Sequence, residues 1–510
     1  MSQPRGKNPP TRCGEGRWAI AWTVALVVSL ALEPVCAPAV LLAFISWHLA
    51  AVSGGNGLDR LLLAAAAAPA VNALILLVLW GFGAANRPML ALCYAAASLA
   101  SFAAVRPKRA AAGPAGDGLA ASLRSLWHPL WTIPLAALLP HAWLSLAGPY
   151  AHLFNGHYWS LIDVARYTVE KGRFPILPAG EVTHACDHIY YNPAVTAISA
   201  SLHLFSDSLL SARRMLHAVT IVYTLLSWLA LARCAQITAG GAGAAGAVAA
   251  LLTFTSDTCT WIMVEPSHDS LTLFYCAFFL ALAGGWLRRG LRPAAGAAAL
   301  GVAGAGLARP YLAPLLPLWL FVISPWRGLR PRMSEGWRLL GGSVSRRQWF
   351  GIAAGALLGL SWNVFLLVHY SNFFFPHQVA AFGVKFYSEP RLPEGEGKLA
   401  SNRPPNPYGE SWSWARVNHF LGVKNAPFPF VAQAASGVLL AFFALYLFYL
   451  RGGGACDSSA GAGLAAAALA AAILWFLVPP ERQTTKLLLP ALASPRETSS
   501  KAPKSGIPNT

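Results

Sequence analysis

The chain has 510 residues, of which 56% are hydrophobic and only 11% charged, and its mean hydropathy is +0.49. A soluble globular domain carries about 25% charge, so composition excludes a soluble enzyme or carrier. The formal net charge of +18 does not mark a nucleic-acid binder either. Lys and Arg cluster at 5–17, 106–109, 288–292 and 327–347, each beside an apolar segment, which is how polytopic membrane proteins fix their orientation.

Many apolar runs approach the roughly 20 residues that cross a bilayer. In chain order they predict spans at 18–32, 35–52, 61–82, 89–105, 130–147, 212–234, 241–256, 270–287, 293–308, 310–326, 349–369, 429–450 and 460–478. The fold class is therefore an all-α polytopic membrane protein with about thirteen transmembrane helices. The runs are long and rich in Leu, Ala, Gly and Trp, unlike the short alternating strands of an outer-membrane barrel. Residues 1–17 read as a cytoplasmic tail, and 18–129 as four extra helices with a basic cytoplasmic loop. Residues 130–493 read as the functional core, and 494–510 as a polar, disordered tail. The Ala- and Leu-rich sequence before residue 130 carries no functional signal.

Parity settles one ambiguous segment. The clusters at 106–109 and 288–289 both belong in the cytoplasm, and four crossings between them return the chain to that side. The apolar segment 192–206 is then expected to be an interfacial helix in the membrane plane. Two large loops, 148–211 and 370–428, face away from the cytoplasm and carry short interfacial helices. Most acidic residues fall on that side. Asp59 is among the few that face inward.

The first outer loop is rich in chemistry-bearing residues, more so than a simple connection requires. It reads Asn155-Gly156-His157-Tyr158-Trp159, Asp163-Val164-Ala165-Arg166-Tyr167, Gly172-Arg173-Phe174-Pro175, Tyr190-Tyr191-Asn192-Pro193 and Ser211-Ala212-Arg213-Arg214. Later come Pro266-Ser267-His268-Asp269, Ala308-Arg309-Pro310-Tyr311, and Arg482-Gln483-Thr484-Thr485-Lys486 followed by Leu487-Leu488-Leu489-Pro490. The second outer loop adds Phe382, Tyr387, Trp412 and Trp414, suited to an interfacial belt or a cover over a site.

In this order the elements resemble the C-type superfamily of membrane glycosyltransferases, the group that includes protein mannosyltransferases and aminoarabinose transferases. The resemblance covers residues 130 to 490 in outline and is strongest over 155–215. It rests on an acidic residue, an aromatic and an Ala, a Gly followed by an aromatic-Pro pair, a Tyr-x-x-Pro element, and an Ala-Arg pair opening the next span. It implies an inverting enzyme that moves a sugar from a polyprenyl-phosphate carrier to a lipid-linked or protein acceptor on the extracytoplasmic face. This chain departs from the pattern at one place. The family's catalytic Asp falls near position 157, where this chain has His157, and Asp163 is the first carboxylate of the loop. Either Asp163 is the base, or His157 is, or the chain is catalytically altered.

Such a transfer needs a base to deprotonate or orient the acceptor hydroxyl, cations to stabilise the departing phosphate, and a greasy groove for the prenyl chain. Asp163 suits the first role. Its bland alternative is a surface carboxylate paired with Arg166. Arg482, Lys486, Arg309 and Arg213 are the candidate phosphate ligands, against the alternative of snorkelling at helix ends. Glu181, Asp187, Tyr191, His268 and Asp269 are the candidate acceptor or substrate ligands, although His268-Asp269 also reads as an ordinary helix start. The group His184, Cys186, Asp187 and His188 matches no standard zinc spacing, so no metal site is assigned. The resemblance leaves open whether a divalent cation takes part, and no other cofactor is implied.

Two other functions fit the composition. One is a transporter or flippase of lipid-linked sugars, which calls for ionisable groups within the spans. The other is an O-antigen-ligase-like transferase that uses Arg and His without a carboxylate base. The expected partners are a polyprenyl-phosphate-linked sugar, a lipid or protein acceptor and membrane lipid, with no nucleic acid. The expected location is multi-pass in the bacterial inner (plasma) membrane, with the active site extracytoplasmic.

Overall fold

The computed structural model describes residues 34–51, 56–109, 118–147, 156–176, 193–239, 268–289, 293–323 and 344–373, two short strands within 379–387, and isolated positions between them, among them Ser53, Tyr190 and Leu291. Regular structure among these residues is helical, apart from an antiparallel pair of strands, β1 (Val379–Ala381) and β2 (Val384–Tyr387). Among the described residues, five helices are long and apolar enough to cross a membrane: Pro34–Ala51, Gly57–Phe82, Leu209–Ile237, Ser270–Leu287 and Arg346–Tyr370. Strongly exposed apolar side chains such as Leu99, Phe350 and Val368, each more than 70% exposed, match a lipid-facing surface. The expected spans 18–32, 241–256, 429–450 and 460–478 lie outside the continuously described stretches.

We number the helices α1 (Ala37–Ala51), α2 (Gly57–Phe82), α3 (Arg87–Arg109), α4 (Leu119–Leu126), α5 (Thr132–Ala147), α6 (Gly156–Lys171), α7 (Pro193–Phe205), α8 (Leu209–Ala239), α9 (His268–Arg289), α10 (Ala295–Ala308), α11 (Leu315–Ile323), α12 (Arg346–Gly359) and α13 (Ser361–Tyr370). The broadest contacts join α10 to α12, α8 to α9, and α2 to both α1 and α10.

Helix α2 is the axis of the bundle. Its start is a capping box: the Asn56 side chain accepts from the Asp59 amide at 2.9 Å, and Asp59 accepts from the Asn56 amide at 3.3 Å. Asp59 then holds Arg233 of α8 through two hydrogen bonds of 2.8 and 2.7 Å, with both side chains at most 6% exposed. Arg233 also donates to Gln236 at 2.5 Å, and Gln236 donates to Ser125 of α4 at 3.1 Å. The cytoplasmic loop expected over 106–129 thus contains a helix, tied to the ends of α2 and α8.

Half-way along α2 stands Pro69. It has no N–H to give to the carbonyl of Ala65, and its ring crowds the preceding turn. One tyrosine supplies the missing donor, and a second adds a donor at the next carbonyl. The Tyr223 hydroxyl of α8 donates to the Ala65 carbonyl at 2.9 Å, and the Tyr275 hydroxyl of α9 donates to the Ala66 carbonyl at 2.8 Å. A second polar knot joins α2, α3 and α7: the hydroxyls of Tyr94 and of Ser201 (2.7 Å) both donate to the Asn72 carbonyl oxygen.

Helices α10 and α12 meet along a stripe of small residues. A Cβ at Gly351 would lie 2.4 Å from the Ala295 carbonyl oxygen, and one at Gly355 would lie 2.3 Å from that of Ala299. The four-residue spacing of Gly351, Gly355 and Gly359 keeps this seam on one face, as in close-packed membrane helices. Because Ala295 meets Gly351 and Ala303 meets Gly359, the two helices run in parallel.

The segment 192–206 differs from its expectation. Helix α7 has 13 residues and is about 20 Å long at 1.5 Å per residue, too short to cross. Twelve of its residues are buried. It packs against α6, α2 and α8, so it is enclosed by protein rather than lying half-exposed in an interface. It does not cross, as expected, but its apolar surface is covered by other helices.

Two outcomes follow for stability. Asp59→Asn leaves a buried guanidinium without its counter-charge, and is expected to cost about 3–5 kcal/mol. Asp59→Leu combined with Arg233→Met is expected to recover most of that loss; equal loss in the single and double variants refutes it. Tyr275→Phe removes the hydroxyl donor to the Ala66 carbonyl and should cost roughly 0.5–1.5 kcal/mol. Thermal unfolding in detergent checks both, with Tyr167→Phe on the exposed face of α6 as the unchanged control.

Candidate functional site

Among the described residues, these contacts between helix ends fall into two groups. Asp59, Ser125, Arg233 and Gln236 meet at one end, where the Ala294 amide also donates to Ser53 at 3.0 Å and Gln348 donates to the Pro293 carbonyl at 2.9 Å. At the other end Trp80, Gly83, Thr168, Gly172, Phe174, Tyr190, Trp362 and Tyr370 meet. There too Arg87 pairs with Asp207 at 3.0 Å, an exposed contact. This second end carries the sequence motifs.

Helix α6 lies against this end with two unlike faces. Leu161, Ile162, Val164, Ala165 and Thr168 are buried, while Asp163, Arg166, Tyr167 and Glu170 are exposed. The exposed set follows the i, i+3, i+4, i+7 spacing of one helical face. The helix is fastened at three points. The Trp80 indole N–H donates to the Thr168 hydroxyl at 3.0 Å, Ser199 donates to the Leu161 carbonyl at 3.1 Å, and the Ala85 amide donates to the Gly172 carbonyl at 3.1 Å.

Glycine is required at the last of these. Gly83 ends α2 and Gly172 ends α6, both in the left-handed region at φ 66°, and a Cβ on Gly172 would lie 2.8 Å from the Gly83 carbonyl oxygen. The next turn places Phe174 among Trp80, Trp362 and Tyr190, with ring centroids 5.2, 4.8 and 6.3 Å away. The Trp362 indole donates to the Tyr190 carbonyl at 3.1 Å. Gly172, Phe174 and Tyr190, which carry much of the family resemblance, therefore build the platform under α6.

Asp163 sits in the middle of the exposed face. Partial burial of its flank raises its carboxyl above the usual range, and the positive charge of Arg166 one turn on draws it back down. His157 lies in the first turn of α6, and its side chain is outside the described residues. Six residues separate it from Asp163, about 9 Å along the axis and most of the way to another face. Arg213 is half-buried in the second turn of α8. Arg309 follows α10 and is 3% exposed, with its amide donating to the Ala305 carbonyl at 2.8 Å. His268 and Asp269 open α9, with side chains outside the described residues. The α9 end at Gly285 packs near Ile237, so its start belongs to the opposite end, with α6. The parallel course of α10 and α12 puts Arg309 at the Tyr370 end as well. Asp163, Arg213, Arg309 and the start of α9 thus share one end of the bundle. Glu181, Asp187, Tyr191, Arg482 and Lys486 lie outside the described residues.

Sequence reasoning missed Trp80 and Thr168. The signal available was Gly83 closing a long apolar run, a glycine cap that places the preceding turn at a helix end. Nothing in periodicity pairs that end with α6. No family model matches the chain, and no curated protein or solved structure matches it.

The electrostatics of Asp163 give a titration test. A guanidinium beside a carboxylate favours the ionised form, so removing it favours protonation. Arg166→Gln is expected to move the Asp163 midpoint further up, away from the ordinary value of about 3.9. Infrared difference spectra, with the carboxyl band assigned by Asp163→Asn, check this; a downward move contradicts it.

Proposed function

We propose that this protein is a membrane glycosyltransferase that moves a sugar from a polyprenyl-phosphate carrier to a lipid-linked or protein acceptor, with inversion, on the extracytoplasmic face. The supporting observation is α6 itself: an amphipathic helix seated on the bundle end that presents Asp163 outward, at the end shared with Arg213 and Arg309. A carboxylate with a raised affinity for protons at the edge of a membrane is suited to accept a proton from an acceptor hydroxyl. Buried or half-buried arginines at the same level are suited to a departing lipid phosphate. The lipid-facing sides of the surrounding helices offer the prenyl chain a surface of matching polarity.

The distribution of charge favours an enzyme over a carrier. The buried carboxylates and arginines among the described residues are Asp59, Arg233 and Arg309. Asp59 and Arg233 neutralise one another near helix ends, and Arg309 follows the end of α10. A carrier of charged lipid-linked sugars needs such groups near mid-span. There the described knot of Asn72, Tyr94 and Ser201 is uncharged.

The test is transfer of labelled sugar from a prenyl-phosphate donor in membranes holding the full chain. Asp163→Asn is expected to lower kcat by about 10²–10⁴-fold, the usual worth of a positioned base, while His157→Ala keeps most of it. Loss with His157→Ala and retention with Asp163→Asn transfers the role to the histidine and supports the O-antigen-ligase-like alternative. Full retention in both removes this site.

A further inference from the structure

Resting on the functional assignment above, the geometry points to Trp80 and Thr168 as positioning residues: their hydrogen bond sets the roll of α6 and so holds Asp163 on the open edge of the site. Helix α2 thereby takes part in the site although it carries no reacting group.

The need for such a lock follows from the shape of the buried face. At 3.6 residues per turn, Leu161, Ile162, Val164, Ala165 and Thr168 spread over an arc of about 160°. An apolar arc that wide packs against the bundle almost equally well over a range of rolls, because hydrophobic contact is not directional. A hydrogen bond is directional and weakens steeply when misaligned. Thr168 is fully buried and Trp80 is 5% exposed, so water does not replace the bond if it is lost. Five residues separate Thr168 from Asp163, a turn of about 140° at the same pitch. Holding Thr168 inward therefore holds Asp163 outward. The Ala85 amide bond to the Gly172 carbonyl, at 3.1 Å, adds an axial tie, and the close Gly83 and Gly172 approach beside it leaves no space for a Cβ. The Trp80 bond sets the roll toward the C-terminal end of α6, beside the contacts of Ser199 of α7 with Leu161 and of Ala85 with Gly172.

The test uses the full chain in native membranes, with two readouts. Cysteines introduced one at a time by Asp163→Cys, Val164→Cys and Arg166→Cys are exposed to a water-soluble maleimide, and each site is read by peptide mass spectrometry so that the eight native cysteines do not interfere. In the parent chain the cysteines at 163 and 166 react fast and the one at 164 slowly. Trp80→Phe keeps the ring against Phe174 but removes the donor, and Thr168→Val keeps the volume but removes the acceptor. Each is expected to slow reaction at 163 severalfold and to speed it at 164. In chains with Asp163 intact, the same two variants are expected to lower kcat for sugar transfer about 10-fold or more, as small misplacements of a reacting group do. KM for the donor stays within about twofold, since uniform binding is untouched. Thr168→Ser, which retains the acceptor oxygen, restores both readouts. An unchanged labelling pattern in Trp80→Phe and Thr168→Val overturns the lock, and so does a shifted pattern with unchanged kcat. A parent chain that transfers no sugar from a prenyl-phosphate donor overturns the functional assignment instead, and the labelling pattern alone then decides whether the bond sets the roll.

Discussion

Pro69 leaves the Ala65 carbonyl of α2 without its helical donor in the middle of an apolar bundle, and the packing of the core is organised around that turn. An unsatisfied carbonyl in hydrocarbon costs several kcal/mol. The Tyr223 hydroxyl of α8 removes that cost at Ala65, and the Tyr275 hydroxyl of α9 adds a donor to the neighbouring Ala66 carbonyl. Because a tyrosine reaches only its own length, both helices must approach α2 closely at this level. Gly304 of α10 completes the fit: a Cβ there would collide with the Tyr275 hydroxyl at 2.1 Å. One backbone defect thus fixes the mutual height of four helices.

Height alone does not fix orientation, and each end of α2 adds a different device. At its start the bidentate Asp59 to Arg233 pair holds α8 and, through Gln236 and Ser125, the short helix α4. At its finish the glycine cap and Trp80 hold α6. The first device is ionic and enclosed; removing one partner is costly, although replacing both by apolar groups is tolerable. The second is neutral and sits beneath an exposed polar face. The bundle end that presents Asp163 therefore has a firm base and an accessible edge, the arrangement that the proposed transfer would use.

Much of the helical architecture was legible in the sequence, because apolar runs such as 61–82, 212–234, 270–287 and 349–369 are long and their ends carry caps or charges. The segment 192–206 was legible as a helix but not as an enclosed one. Hydropathy measures how apolar a segment is, and does not say whether lipid or another helix covers it. Asp59 read as an ordinary inward-facing acid, since its partner lies 174 residues away. At the site, Asp163, Gly172 and Phe174 stood out as a group, yet their roles separate in three dimensions. Gly172 and Phe174 turn inward to make the platform, and Asp163 turns outward. Local spacing gives the 3.6-residue period but not its phase relative to the bundle; Trp80, from a segment that carried no functional signal, supplies that phase together with Ser199 of α7.

Phase is also what distinguishes a functional carboxylate on α6 from a decorative one. Asp163, Arg166, Tyr167 and Glu170 would pair along any solvent-facing helix, and such pairs contribute only a few tenths of a kcal/mol. What differs here is that the opposite face of the same helix is pinned by side-chain and backbone hydrogen bonds from α2, α7 and the turn after α2. A helix held only to shield the bundle end would need its apolar arc and nothing more. Three directional contacts on one buried face constrain roll, height and tilt together. The side chains opposite then occupy defined positions, the condition under which a carboxylate can be aimed at a particular hydroxyl rather than merely dissolved in water.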